Sequence, residues 1–179
     1  MPKYNAVLSD LLGSKLETYY SINYTVISLV FLSPFLGYTL AAFLNNKIHM
    51  RYGQLGVAVI SPLCKIVAYV VTCVHPPYAV LPVVFVFSGF GNGLEDAGWN
   101  AWIGNMEHSN ELLGFLHGAY GLGATISPLI ATAMVTKGNL PWYTFYYLMV
   151  SYFHYQLMDI YTVCRLFFLM EICLHVACK

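Results

Sequence analysis

The chain has 179 residues, of which 59% are hydrophobic and only 9% are charged, with eight basic and eight acidic side chains. Soluble domains carry far more charge, so this composition predicts a polytopic membrane protein with an all-α fold. The balanced charge excludes the basic surface that nucleic acid requires, and roughly 20 apolar residues per membrane-spanning helix leave room for about five such helices.

Residues 1–20 are expected to form an extramembrane segment. Their apolar residues are interrupted by Gly13, and the long apolar core and cleavage site of a signal peptide are missing. The first predicted span covers residues 22–44. Within it, Gly37 and Ala41 lie one helical turn apart and form a small-residue pair that lets a neighbouring helix approach closely.

A polar loop is expected at residues 45–54, after the first span. Its Lys47 and Arg51 place the loop on the cytoplasmic side by the positive-inside bias, so the preceding span runs from outside to inside. The second span is predicted at residues 55–74. It contains Lys65, whose ammonium group is expected either to be buried or to reach the interface along its flexible stem.

The third predicted span, residues 79–103, carries the densest group of polar side chains. Asn92, Asp96 and Asn100 recur at helical spacing and form one polar stripe. Carboxyl groups inside an apolar span are costly, which favours a functional role such as proton or substrate coupling for Asp96. The alternative is a neutral acid that is hydrogen-bonded to a neighbouring helix as a structural contact.

Glu95 is the neighbour of Asp96 in the sequence but lies about 100° away from it around the helix. We therefore expect Asp96 to face a water-filled path, and Glu95 to face a partner helix or the interface. Gly89 and Gly93 form a groove beside the polar stripe and are expected to pack against another helix. The GFGNG stretch has GxGxG spacing rather than GxGxxG, so helix packing accounts for it better than a phosphate-binding loop does. A soluble dinucleotide-binding enzyme is disfavoured by the hydrophobicity of the chain, and no enzymatic activity is expected.

The fourth predicted span, residues 112–135, is rich in glycine. Gly118 and Gly121 are expected to permit close packing with another helix. His117 and Thr125 share a helical stripe with Gly121 and are candidates to line a transport path. The charge of a histidine changes near neutral pH, which suits a proton relay, although an interhelical hydrogen bond accounts for His117 equally well.

A fifth span is predicted at residues 142–158, where an aromatic belt of Trp and Tyr side chains opens it. Beyond it, acidic and basic residues interrupt the apolar pattern, and we expect residues 159–179 to form an atypical tail at the interface.

The five cysteines show neither a CxxC pair nor a His/Cys ligand spacing. Disulfides, a metal site and a bound cofactor are therefore not expected.

Three features of the chain occur in the same order in the major facilitator superfamily: the basic loop between two spans, the GNGLEDAGWNAW span and the HGAYGLGATISPL span. Over residues 19–150 the chain resembles this family, and in particular the branch of the fucose/proton symporter and the fungal transporters of the bypass-of-stop-codon type. Arg51 and Gly53, with Lys47 upstream, look like the family's cytoplasmic loop motif, although Leu55 stands where a second basic residue is usual.

The resemblance implies helices two to six of a twelve-helix transporter. Residues 21–150 would then form most of one six-helix half. The position of Asp96, one turn before Asn100, matches the acid to which the symporter branch assigns proton coupling. The function implied is secondary transport of a small solute such as a sugar, coupled to protons. The residues expected to line the path are Asp96, Asn92, Asn100, His117, Thr125 and Glu95.

The expected partners are the lipid bilayer, the solute, protons, and a missing transporter half or other membrane helices. A multi-pass position in the plasma membrane is favoured. The alternative interpretation is a truncated membrane protein that transports nothing and only associates with other membrane proteins through its glycine faces.

Overall fold

The computed structural model describes the backbone of residues 16–177, and the side chains in that range except those of Tyr24 and residues 163–177. Throughout this range the secondary structure is helical and contains no strand, which confirms the predicted all-α fold. Most of the expected segment 1–20 lies outside the described residues, and its last part, residues 16–20, forms one helical turn, α1.

The helix α2, Tyr24–Cys73, contains both the first and the second predicted span. The stretch expected to be a loop, residues 45–54, is helical except at Gly53, where φ is 66° and ψ is −169°. The other residues of that stretch include no glycine or proline that would end a helix, whereas Gly53 adopts a positive φ that residues with a Cβ rarely reach. We call residues 24–52 the first arm of α2 and residues 54–73 its second arm.

Three further helices follow, α3 at Val80–Gly104, α4 at Ser109–Thr136 and α5 at Thr144–Ala177. Their positions agree with the third, fourth and fifth predicted spans. The last helix does not end near residue 158 as expected but continues to Ala177. The added stretch contains neither glycine nor proline, so nothing in the local sequence ends the helix there.

The first arm of α2 packs parallel to α3 through small residues. Pro34 lies against Gly89, and Ala41, farther along the arm, lies against Gly93, farther along α3. A Cβ added to Gly93 would lie 2.8 Å from Ala41 Cβ, and one added to Gly37 or Gly89 would collide with the backbone of the opposite helix. These glycines lie where the two backbones come closest.

The second arm of α2 packs antiparallel to α3. Ser61 lies against Gly91, while Val57, which comes earlier in the arm, lies against Gly98, which comes later in α3: added Cβ atoms would lie 2.7 Å from Ser61 O and 2.9 Å from Val57 Cγ1. The two arms therefore run in opposite directions, and Gly53 is the point at which the chain reverses.

Two buried clusters tie these helices together. Near the start of α3, Ile27 and Leu81 pack against Trp142, which precedes α5. The Tyr20 hydroxyl closes this end by donating a hydrogen bond to Pro76 O at 2.8 Å, and burial raises the pKa of this phenol. Toward the other end, Leu94 of α3 is fully buried between the two arms of α2, against Ala41 and Val57.

The helix α4 stands apart from this packed unit, since none of its residues is buried. Among the described residues, two stretches are long and apolar enough to cross a membrane, Thr25–Cys73 and Ser109–Thr136. The first holds both arms of α2, and the second is α4. The helix α3 carries the polar residues around Glu95 in its second half, after an apolar first half.

Candidate functional site

The polar residues of α3 lie between the two arms of α2, and the two adjacent carboxyl groups have different neighbours. Successive residues of a helix point about 100° apart, so Glu95 and Asp96 face different helices. Glu95 faces the second arm of α2 and α5, whereas Asp96 faces the first arm. This separation follows the expectation drawn from the sequence.

Glu95 forms an ion pair with Lys65, whose side chain is only 5% exposed, compared with 24% for Glu95. Ser61 Oγ lies 3.1 Å from Glu95 Oε2, and Gln156 Nε2 donates a hydrogen bond of 3.1 Å to Glu95 Oε1. The ammonium group of Lys65 also lies 4.7 Å from the centre of the Phe153 ring. In a medium of low polarity such a pair is favourable only when further contacts satisfy its remaining atoms. Here Ser61 and Gln156 complete the environment of the carboxylate, and the Phe153 ring lies against the ammonium group.

Asp96 is held by neutral groups. It accepts hydrogen bonds from the Tyr38 hydroxyl and, at 3.0 Å, from Asn100 Nδ2. Its side chain is exposed, as is Asn92 one turn earlier on the stripe. Among the described side chains no cation pairs with Asp96, and the Asn100 Oδ1 atom is buried without a hydrogen-bond partner.

The structure does not bring the residues of α4 to this stripe. In the described part of the chain, no hydrogen bond or ion pair joins His117 or Thr125 to α3, and the Thr125 hydroxyl donates within its own helix to Gly121 O at 2.9 Å. An added Cβ on Gly118 or Gly121 would meet no atom within 4 Å. The reason is that α4 packs only loosely against α3 and α5, with none of its residues buried and its glycines facing open space.

The loop motif lies at the end of the first arm of α2. Lys47 and Arg51 are exposed on helical backbone, and the Arg51 guanidinium lies 5.6 Å from the centre of the Tyr52 ring. Gly53 follows at the reversal of the chain. The motif therefore occupies a tight corner between two helices rather than a flexible loop.

A cavity of about 560 Å³, which the sequence did not indicate, lies between the second arm of α2, α3 and α5. Glu95 and Gln156 contribute to its wall, and so do Trp99 and Asp159. The signal that could have located it is the opposite charge of Lys65 and Glu95 in two apolar spans. Asp159, expected in a tail at the interface, lies on the helical continuation of α5.

Similar proteins indicate the family to which this arrangement of helices belongs. The sequence model of the Major Facilitator Superfamily matches residues 5–153. Bypass of stop codon protein 6 of Saccharomyces cerevisiae is 27% identical over 123 residues, a stretch that is 68% of this chain and 25% of the relative. The chain thus spans about a quarter of that relative's length. No solved structure matches the chain.

Proposed function

Because the chain belongs to the major facilitator superfamily, we propose that it forms part of a secondary transporter that couples the movement of a small solute to protons through Asp96. Members of the family are integral membrane transporters rather than enzymes, so transport is the general function of this fold. We propose in addition that the transporter lies in the plasma membrane. A sugar is the first solute class to test, in line with the resemblance to the fucose/proton symporter branch.

The observation that carries the proposal is the different environment of the two carboxyl groups on α3. Glu95 is compensated by Lys65, so protonating it would leave a buried lysine unpaired. Among the described residues, Asp96 has only neutral hydrogen-bond donors around it, so its protonation would leave none of their cations unpaired. Protonation would weaken the hydrogen bond from Tyr38. Because Tyr38 lies on α2 and Asp96 on α3, binding of a proton would thereby change the contact between these two helices.

The remaining residues of the path follow from the same face of α3. Asn92 and Asn100 extend the polar stripe by one turn on each side of Asp96. His117 and Thr125 of α4 are included in the proposed path by the resemblance to the family alone. Glu95 lies on another side of α3, where its ion pair with Lys65 fixes α3 against the second arm of α2.

Proton flux into liposomes tests the role of Asp96. The purified chain is reconstituted around a trapped pH-sensitive dye, and inward gradients of a panel of neutral monosaccharides are applied. We expect a solute gradient to drive a pH change that Asp96→Asn abolishes, because an amide cannot exchange a proton. Glu107→Gln, in the short connection between α3 and α4, is the matched control and should leave the flux unchanged.

The second candidate, a membrane protein that only associates with other membrane proteins, predicts a different result. The uncovered glycine face of α4 is the observation that favours it. It would be supported if Asp96→Asn and Glu107→Gln gave equal flux, since the carboxyl group would then have no part in coupling.

A further inference from the structure

The geometry points to a second ligand site: we propose that the cavity between the second arm of α2, α3 and α5 binds an amphipathic organic amine in its protonated form. This cavity lies on the side of α3 that carries Glu95, away from the polar stripe of Asp96. It is therefore independent of the proposed transport path.

The size and the apolar wall of the cavity define the body of the ligand. Its volume of about 560 Å³ falls in the range of small-molecule sites. Aliphatic side chains from two helices form much of the wall, namely Leu55, Val57, Ala58 and Ile160. Such a surface favours a ring or hydrocarbon body over a sugar, whose hydroxyl groups would lose their water without replacement.

Two tryptophans give the cavity an affinity for positive charge. Trp99 and Trp102 line it one turn apart on α3, with their ring centres 5.5 Å from each other and their planes at 66°. Indole rings attract cations more strongly than other aromatic side chains do. A cation with an apolar body therefore finds both of its preferred surfaces in one place.

The charges around the cavity favour a cation over an anion. Of the two carboxyl groups in its wall, Glu95 is compensated by Lys65, which is almost fully buried behind it. Asp159 has no cationic partner among the described side chains. Within the described part of the chain, the wall thus carries one negative charge without a cationic partner, beside apolar surface, and a single positive charge on the ligand would balance it.

Calorimetric titration of the purified chain in detergent micelles tests the site with three probes that share one ring system. The probes are 1-naphthylmethylammonium, the neutral 1-naphthylmethanol and the anionic 1-naphthoate. We expect saturable binding of one ammonium probe per chain, on the order of tenfold tighter than the alcohol, and no binding of the anion. Equal affinity for all three probes would show partition into the micelle and would overturn the proposal.

Variants of the cavity separate charge from shape. Asp159→Asn should remove the preference for the ammonium probe over the alcohol, because it removes the uncompensated charge. Ala58→Phe should abolish binding of both probes by filling the cavity. Ala133→Phe, the same substitution at an exposed position of α4, is the matched control and should bind as the wild type does. Unchanged binding by Ala58→Phe would place the amine elsewhere and overturn the site.

Competition tests the source of the amine. Phosphatidylethanolamine and the monosaccharides of the transport panel are added in turn to the complex with the ammonium probe. We expect neither to displace it. Displacement by the lipid would assign the cavity to a membrane headgroup, and displacement by a sugar would assign it to the transported solute. Either result would overturn a site for a free amine.

Discussion

At the scale of single residues, the ion pair between Lys65 and Glu95 separates two carboxyl groups that are adjacent in the sequence. Lys65 compensates Glu95 inside the bundle, whereas the hydrogen bonds to Asp96 from the side chains that the structure describes all come from neutral groups. A charge buried with its partner contributes little net stability, but the same charge without its partner is strongly destabilising. The two acids therefore differ in what it costs to change their protonation.

Lys65→Met tests this asymmetry. Removing the ammonium group leaves Glu95 partly buried without a cation, and we expect the free energy of unfolding to fall by about 3 kcal/mol. The measurement is reversible unfolding in mixed detergent micelles followed by circular dichroism. Lys137→Met, at an exposed position after α4, should change little, and adding Glu95→Gln to Lys65→Met should restore most of the loss. Equal changes in the free energy of unfolding at both lysines would show that the ion pair does not stabilise the fold.

At the scale of elements, small residues allow the first arm of α2 to lie directly against α3. The glycines of this contact face the backbone of the opposite helix, whereas the glycines of α4 face open space. The same residue type therefore has two different roles in neighbouring helices, and only the packing partner distinguishes them.

Gly37→Ile and Gly118→Ile form a matched pair for this contrast. Isoleucine at Gly37 would collide with the backbone of α3 near Val86, so the helices must separate, and we expect a loss of about 2 to 3 kcal/mol in the free energy of unfolding. Isoleucine at Gly118 meets no atom within 4 Å and should be tolerated. Thermal unfolding in detergent compares them. A larger effect at Gly118 would mean that α4 packs against the rest of the chain.

The sequence predicts the helices well and their ends less well. Apolar runs of membrane length and their interruptions locate the elements, because hydropathy depends only on local composition. The reversal at Gly53 within otherwise helical backbone could not be predicted, since polar residues outside a membrane can continue a helix. The continuation of α5 could not be predicted from the charged residues after residue 158. Such residues indicate the end of a membrane span, but they do not end a helix.

The sequence predicts the candidate site only in part, because the contacts between helices depend on how the helices are aligned along one another. Helical spacing separates Asp96 from Glu95, so their different directions were accessible from the sequence alone. The partner of Glu95 was not, because Lys65 reaches it only when the second arm of α2 is antiparallel to α3 at one particular register. The cavity beside them depends on three helices at once and leaves no trace in any single stretch of sequence.

At the scale of the whole molecule, the arms of α2 and the helix α3 form the packed unit, with α5 against its second arm. The helix α4 is apolar, and none of its residues is buried, so lipid or further helices must cover it. The relative that matches the chain is about four times as long as the matched stretch, which leaves ample sequence for such helices in that protein.

The order of the helices predicts which connections share a side of the membrane. Single cysteines replacing Met50 and Met106 in a background without the five native cysteines should react with a membrane-impermeant maleimide from one side. Cysteines replacing Pro77 and Asn139 should react from the other, because successive helices cross in opposite directions. Labelling of sealed vesicles in both orientations measures this. Reaction of Met50→Cys and Pro77→Cys from the same side would contradict the arrangement of the arms.

The buried pair of Lys65 and Glu95 also has a consequence for biogenesis. Taken alone, the second arm of α2 brings a positive charge into the bilayer and α3 brings a negative one, and each costs about 3 kcal/mol at the centre of a single inserting helix. Together the two charges cancel. The insertion machinery that releases these segments into lipid is therefore expected to hold the earlier one until the later one has been synthesised, so that they leave it as a hairpin.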